Sequence, residues 1–354
     1  MNYRRIGKSG LKVSEVALGS WMTYGAALDR EASAACVRAA LDAGINFFDT
    51  ADVYNRGGAE TVLGEILSPL MRTELVIATK AYFPMSDDPN DRGLSRKHLF
   101  ESIHQSLKRL KTDYVDLYQC HRFDPETEVE ETLRAMDDLV RQGKILYAGI
   151  SDTPAWEVSR ANMLAELRGW TAFVGLQIKY SLLDRSVERE LLPMARTLDL
   201  AVTPWDTLGS GILTGKYNRD AATSGRAVLR NRVNERDLAI AAEVIQVAEK
   251  IGRTPAQVAL NWVRQQQVAR SEPEASVGHR GGVIVPLVGA KTRAQLDDNL
   301  GCLEFELAPE DLARLDAVSQ IELGFPHDFL QQFATSSIVN HRAPHQGALQ
   351  VPKE

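Results

Sequence analysis

The chain has 354 residues, 44% hydrophobic and 25% charged, the balance of a soluble globular protein with room for one large core or two ordinary ones. Its 41 Lys plus Arg against 47 Asp plus Glu leave a formal net charge of -6 with no long block of one sign, which argues against a nucleic-acid partner. No apolar run approaches the roughly 18 residues of a spanning helix, and MNYRRIGKSG is not followed by an apolar signal core, so the expectation is a cytoplasmic protein with no membrane association.

In chain order, short apolar and β-branched runs alternate with longer segments of helical period. The strand candidates begin at Val16 (VALGS), Ile45 (INFFDT), Leu75 (LVIATK), Tyr114 (YVDLYQCH), Ile145 (ILYAGIS), Phe173 (FVGLQI), Ala201 (AVTPW) and Val283 (VIVPLVGA). Between them lie amphipathic stretches. In LFESIHQSLKRL, Leu99, Ile103, Leu107 and Leu110 share one helix face, and ETLRAMDDLVRQGK runs to a helix-ending Gly143. Starts recur about every 30 residues, the length of a strand, crossover helix and parallel strand, and eight such units close into a (β/α)8 TIM barrel.

The long interval from Ala201 to Val283 holds two extra helical segments, DLAIAAEVIQVAEKIG and TPAQVALNWVRQQQ, the second with Thr254 as N-cap and Pro255 at the first helical position. After them ARSEPEASVGHRGG, covering 270–282, reads as an exposed insertion. A further helix, LAPEDLARLDAVS, closes the barrel domain at about residue 320, and residues 321–354 form an aperiodic tail that is expected to pack loosely or act as a partial lid.

In a parallel barrel, chemistry gathers at the C-terminal strand ends. There stand Asp49, Lys80, His121, Ser151 with Asp152, and Gln177, while Tyr54 lies in the loop after Asp49. Together they fit acid catalysis by a phenol. A tyrosine with its ordinary pKa near 10 is a weak proton donor; a neighbouring ammonium favours the phenolate, and a carboxylate holds that ammonium in place. His121 can then donate a hydrogen bond to a carbonyl oxygen as negative charge develops on it.

These residues carry a family resemblance. Asp-Thr-Ala with Tyr54, Ala-Thr-Lys80 and Gln119-Cys120-His121 resemble the Asp, Tyr, Lys, His tetrad of the aldo-keto reductases. The likeness extends from about Tyr3 to Ser319 through the opening RRIGKSGLKVSEVALGSW hairpin and strand, GISDTPAW, GLQIKYSLLDR, LGSGILTGKY and VGAKTRAQLDDNL. It is nearest to the bacterial branch related to the β-subunits of voltage-gated potassium channels.

The resemblance implies an NADPH site as well as a tetrad. Ser20 and Trp21 end the first strand. Ser151, Asp152 and Gln177 match positions that hold the nicotinamide carboxamide, and Tyr180 or Trp205 offers an aromatic face near the ring. The stretch WDTLGSGILTGK matches the loop over the pyrophosphate, with Asp206, Leu208, Ser210 and Lys216, and Arg226 follows as a second cation. Gly289, Lys291, Gln295, Asp298 and Asn299 match the adenosine end, where Lys291, with Thr292 and Gln295, would hold a 2'-phosphate. Relatives commonly carry Ser-Pro-Leu where this chain has Asp206-Thr207-Leu208, and many have Asn in place of Asp152; both departures add a carboxylate to the expected pocket.

The glycines of GSGILTG lack the G-x-G-x-x-G spacing of a Rossmann site. His98 and His104, six apart on one helix, do not share a metal-binding face, so no metal is expected. Cys36, Cys120 and Cys302 are odd in number and far apart, and reduced thiols are the default; Cys120 is expected in the barrel wall. The expected function is reduction of an aldehyde or ketone, a small-molecule carbonyl substrate, with Tyr54 as proton donor. The alternatives are a cofactor-binding regulatory subunit with little turnover, and a hydrolase, which is disfavoured because no strand end offers H-x-H or paired carboxylates. Trp21, Met22, Tyr24, Tyr82, Phe83 and Met85 suggest an aromatic and apolar mouth.

Overall fold

The computed structural model describes residues 1–21, 23–24, 28–219, 233–266 and 283–334. Arg226, Met22, the predicted insertion at 270–282 and the tail beyond residue 334 lie outside these. The chain divides into two units, Met1–Ser319 and Gln320–Glu354.

The first unit opens with a hairpin, β1 (Tyr3–Arg5) antiparallel to β2 (Lys12–Ser14). Eight parallel strands then form one sheet: β3 (Ala17–Gly19), β4 (Phe47–Asp49), β5 (Val76–Ala81), β6 (Val115–Cys120), β7 (Ile145–Ser151), β8 (Phe173–Lys179), β9 (Ala201–Trp205) and β10 (Leu287–Val288). Strands β3 to β9 are neighbours in sequence order, and β10 pairs with β3. The ring closes through a parallel bridge between Val202 of β9 and Ile284. The predicted (β/α)8 barrel is therefore the architecture found.

The eighth strand is shorter than the run VIVPLVGA suggests. Pro286 lacks an N–H and breaks the ladder: Ile284 bonds on one side to β9, while Leu287 and Val288 pair on the other side with β3.

Helices fill the connections: α1 (Arg30–Asp42), α2 (Gly58–Leu67), α3 (Arg96–Leu110), α4 (Val129–Arg141), α5 (Ala155–Arg168), α6 (Leu191–Thr197), the short α7 (Lys216–Arg219), α8 (Glu235–Ile251), α9 (Pro255–Gln265), α10 (Arg293–Leu300) and α11 (Pro309–Ser319). Their starts follow local chemistry. Thr254 and Gln257 form a reciprocal capping box at α9, with Pro255 in the first turn, and Thr292 caps α10 by accepting from Gln295 N. No helix among the described residues is long and apolar enough to cross a membrane.

Inside the barrel, Phe47, Val76, Ala78, Leu117, Val174, Ala201 and Val285 pack with Ile6 and Val13 of the hairpin. The hairpin thus closes the end where the strands begin. Glu15, just past it, takes Arg4 at 3.1 Å and Arg264 of α9 at 3.2 Å. The interior is filled from below by this cluster, and a cavity opens at the strand C-termini.

In the second unit, α12 (His327–Ala334) begins where Gly324 N–H donates to the Asp328 carboxylate at 3.1 Å.

Candidate active site

The barrel register sets the first layer of the site. Gly19 stands opposite Asp49, Lys80 opposite Gln119, and Ser151 opposite Gln177. Side chains that point inward at these strand ends meet over the filled core. After Asp49 the backbone runs on beside β5, with Thr50 N–H bonded to Ala78 O and Asp52 N–H to Lys80 O, before Asn55 and Arg56 turn it with left-handed φ of 50° each. Tyr54 stands just before that turn, its hydroxyl within reach of the Lys80 ammonium.

Lys80 is fully buried. Its ammonium donates to Asp49 Oδ1 at 2.6 Å, to Thr50 O at 2.8 Å and to the Tyr54 hydroxyl at 3.4 Å. The other Asp49 oxygen accepts from Gln177 Nε2 at 3.0 Å and from Gln119 Nε2 at 3.3 Å. Both oxygens of the carboxylate are thereby engaged, which is what makes a buried ion pair tolerable. Burial opposes the Lys80 charge, but Asp49 and then Tyr54 outweigh it and hold the pKa above the ordinary lysine value.

For Tyr54 the balance is different. Burial pushes the phenol up to about 12, while Lys80 pulls it down and Asp49 pushes it up. The phenol is therefore protonated throughout the neutral range. His121, edge-on to the Tyr54 ring at 5.6 Å and to Phe83 at 4.9 Å, is held well below its ordinary pKa by burial and by the Lys80 charge. Its imidazole is neutral and can donate one N–H.

The same loop has a buried carboxyl beneath it. Asp52 accepts from its neighbour Val53 N–H at 2.6 Å and from Ser102 Oγ of α3 at 2.8 Å, and burial with the nearby Glu60 charge raises its pKa to about 7. The sign follows from proton counting. Between the unfolded value near 4 and about 7 the folded state binds more protons than the unfolded, so stability falls as pH rises through that window and levels off above it. Asp52→Asn keeps both hydrogen-bond partners without the charge. Urea titrations at about pH 5 and about pH 8 are expected to show a loss on the order of a few kcal/mol in the wild type that is much reduced in the variant. Equal slopes in the two proteins would assign the pH dependence to another group.

A cavity of about 1140 Å³ opens from this layer. It is lined by Asp49, Tyr54, Phe83 and His121, by Ser151, Asp152, Gln177 and Trp205, by Asp206, Leu208, Ser210, Gly211 and Lys216, and by Gly289, Lys291, Gln295, Asp298 and Asn299. Trp21 also lines it, edge-on to Trp205 at 6.2 Å. Asp152 accepts from Trp205 Nε1 at 3.1 Å, and desolvation raises its pKa to about 6. Asp298 is turned toward α9, where Gln257 Nε2 donates to it at 3.1 Å, and Asn299 donates to Gly289 O at 3.3 Å.

Lys80, Tyr180 and Ser20 of the expected set do not themselves line the cavity, Lys80 lying behind Asp49 and Tyr54, which do. Tyr180 is fully buried away from the cavity, its ring 5.4 Å from Trp262 and its hydroxyl 2.6 Å from Glu188, so of the two aromatics considered only Trp205 faces the space. Ser20 is buried and is not among the residues lining the cavity. A strand-alternation argument cannot place either, because both lie just past a strand end. Of the aromatic mouth, Trp21, Tyr24 and Phe83 line the cavity, whereas Tyr82 and Met85 do not. Cys120 is fully buried in the core, and burial raises its thiol pKa.

The structure also adds residues. Arg253, Thr254, Pro255 and Ala256 bring the start of α9 to the cavity wall, and Thr23, Asn55 and Thr214 line it as well. A signal for α9 was present in the capping box TPAQ, since a helix start is an anion-favouring feature. Gln119, read only as a motif neighbour of His121, holds Asp49.

The cavity fits a polar, charged cofactor on its own features. Its lining combines aromatic side chains, hydrogen-bonding groups and the cations Lys216, Arg253 and Lys291. In its wall Gly209, Ser210 and Gly211 take successive left-handed φ of 57°, 56° and 92°, with the Gly209 and Gly211 N–H groups bonded to Asp206 O and Leu208 O.

Comparison with known proteins agrees in extent. The sequence model of the Aldo/keto reductase family matches residues 15–320. A putative voltage-gated potassium channel subunit beta of Schizosaccharomyces pombe is 37% identical over 332 residues, covering 89% of this chain and 92% of that protein. A probable channel subunit beta of Arabidopsis thaliana is 35% identical over 93% of this chain and 100% of its own length. A versiconal hemiacetal acetate reductase of Aspergillus parasiticus is 34% identical, with 89% and 96% covered.

Proposed function

This chain belongs to the aldo/keto reductase family, a family of oxidoreductases, and from that premise we propose that it is an NADPH-dependent reductase that converts an aldehyde or ketone to the alcohol. The observation that carries the reading is the buried Lys80 ammonium held between the Asp49 carboxylate and the Tyr54 phenol at the floor of the cavity.

A reduced nicotinamide cofactor, when bound, supplies the hydride for the carbonyl carbon. The protein supplies the proton and the orientation. Tyr54, protonated at neutral pH, is the acid available to the carbonyl oxygen, and as its proton leaves, the Lys80 charge stabilises the phenolate. Asp49 keeps Lys80 charged and aimed. Neutral His121 is a hydrogen-bond donor rather than an acid, which suits it to orient the carbonyl oxygen and to stabilise charge building there. Phe83 and Tyr24 give the substrate end an apolar wall.

In this reading Ser151, Asp152 and Gln177 hold the carboxamide of the nicotinamide, Trp205 faces its ring, and Leu208, Ser210 and Lys216 bind the diphosphate. Gly289, Lys291, Gln295, Asp298 and Asn299 surround the adenosine, with Lys291 at the 2'-phosphate near the α10 start. Charge-assisted bonds at roughly 1.5 to 3 kcal/mol each give at least about a tenfold preference for NADPH over NADH. Fluorescence titrations are expected to show that preference in the wild type and its erosion in Lys291→Ala. Equal binding of the two cofactors by the wild type would count against NADPH.

A second reading, a cofactor-binding subunit with little turnover, draws support from the relatives named as potassium channel β-subunits. Following NADPH consumption by absorbance with a panel of aldehydes and ketones separates the two. Turnover supports the reductase; tight cofactor binding without turnover on any of them supports the subunit.

A further inference from the structure

The diphosphate wall of the cavity holds an anion of its own. Asp206 is the first residue past β9 and adopts a left-handed φ of 54°, a conformation that disfavours residues other than glycine. Its Oδ1 accepts the Ser210 backbone N–H at 2.6 Å and the Ser210 hydroxyl at 3.2 Å. The first is short and charge-assisted, and Ser210 itself lines the cavity. Asp206 lines the same cavity, beside Gly211 and Lys216.

We propose that Asp206 is a built-in competitor for the cofactor's diphosphate: it occupies the Ser210 donors, and the dinucleotide binds fully only when its carboxylate gives way. The inference rests on the dinucleotide reading of the cavity. Three features carry it. The amides on either side are spent inside the loop, Gly209 N–H on Asp206 O at 2.8 Å and Gly211 N–H on Leu208 O at 3.0 Å, so the Ser210 donors are the ones at stake. The occupant is a carboxylate, the side chain closest in charge and geometry to a phosphate edge. And the position is strained, so the loop holds Asp206 there by those bonds rather than by backbone preference.

The consequence is a cofactor that is held more weakly, and released sooner, than the cationic wall of Lys216, Lys291 and Arg253 would dictate. A carboxylate left close to the diphosphate repels it; a carboxylate that swings away gives up two hydrogen bonds. Either way the cost falls on the bound state. The opposite role, a brace that shapes the loop for the cofactor, predicts the opposite sign.

The test uses the full chain and NADPH itself. Asp206→Asn keeps the shape and an acceptor oxygen but removes the charge; Asp206→Ser removes the reach as well. NADPH binding measured by fluorescence titration is expected to tighten several-fold in Asp206→Asn and tenfold or more in Asp206→Ser, with most of the gain in slower release in stopped-flow displacement. The thermal shift produced by saturating NADPH grows in the same order. Binding that is unchanged or weaker in folded Asp206→Asn overturns the proposal while leaving the dinucleotide reading in place. Should Asp206→Ser not fold, the isosteric Asp206→Asn decides alone. Failure of the wild type and both variants to bind either NADPH or NADH overturns the proposal together with the reading on which it rests.

Discussion

Tyr54→Phe is expected to lower carbonyl reduction by about 10²-fold or more while leaving NADPH affinity and folding stability close to the wild type. The ring stays, so its edge contact with His121 at 5.6 Å is kept. What is lost is a hydroxyl whose hydrogen bond to Lys80 is long, at 3.4 Å, and contributes little to the fold. The effect should therefore appear in kcat rather than in the cofactor dissociation constant. No neighbouring group can substitute well: His121 is kept neutral by burial and by Lys80, and the Lys80 proton is held by Asp49. Single-turnover mixing of the NADPH-loaded protein with an aldehyde measures the step directly. A variant with near wild-type turnover would mean that the proton comes from elsewhere.

Lys80→Met is expected to damage both chemistry and fold. The substitution is close in volume, but it leaves the Asp49 carboxylate buried with only the Gln177 and Gln119 amides as partners. Removing one member of a buried ion pair typically costs about 3–5 kcal/mol, because the remaining charge has lost its compensation. Turnover should fall at least as far as in Tyr54→Phe, since the phenolate loses the cation that stabilises it. The double variant Asp49→Asn with Lys80→Met separates the two effects. With no charge left to bury, it should regain part of the stability in urea denaturation and none of the turnover. If Lys80→Met alone were as stable as the wild type, the buried pair would not have the energetic role assigned to it.

The sequence by itself determined the element order and which polar residues gather at the strand ends. Strand runs such as LVIATK and YVDLYQC are short, apolar and bounded by polar turns, so their hydrophobic period reports a local environment that holds wherever the strand sits. The same holds for the caps: Thr254 with Gln257 begins α9, and Thr292 begins α10, through contacts only three residues away. Asp49, Lys80 and His121 were legible because a parallel barrel brings every strand end to one face, and a polar residue ending an apolar run is visible in the chain itself.

Only the tertiary structure decided what lies past the strand ends. Tyr180 and Trp205 each offered an aromatic face, yet Tyr180 turned to Trp262 and Glu188 and left Trp205 in the cavity. Gln119 and Gln177 meet one oxygen of Asp49 from 70 and 128 residues away. Asp206 turned back on Ser210 instead of standing free in the pocket, and the start of α9, legible in the sequence as a helix, brought Arg253 and Thr254 to the cavity wall. Gln119 and Gln177 stand inside β6 and β8, and the barrel register sets their meeting; Tyr180, Asp206 and the start of α9 share another reason. Past a strand there is no repeating backbone to fix where a side chain points, so its direction is settled by partners that only the closed barrel brings within reach. Pro286 marks the same boundary from the other side: its missing N–H is plain in the sequence, but that the ladder would switch there from β9 to β3 depended on how the ring closed.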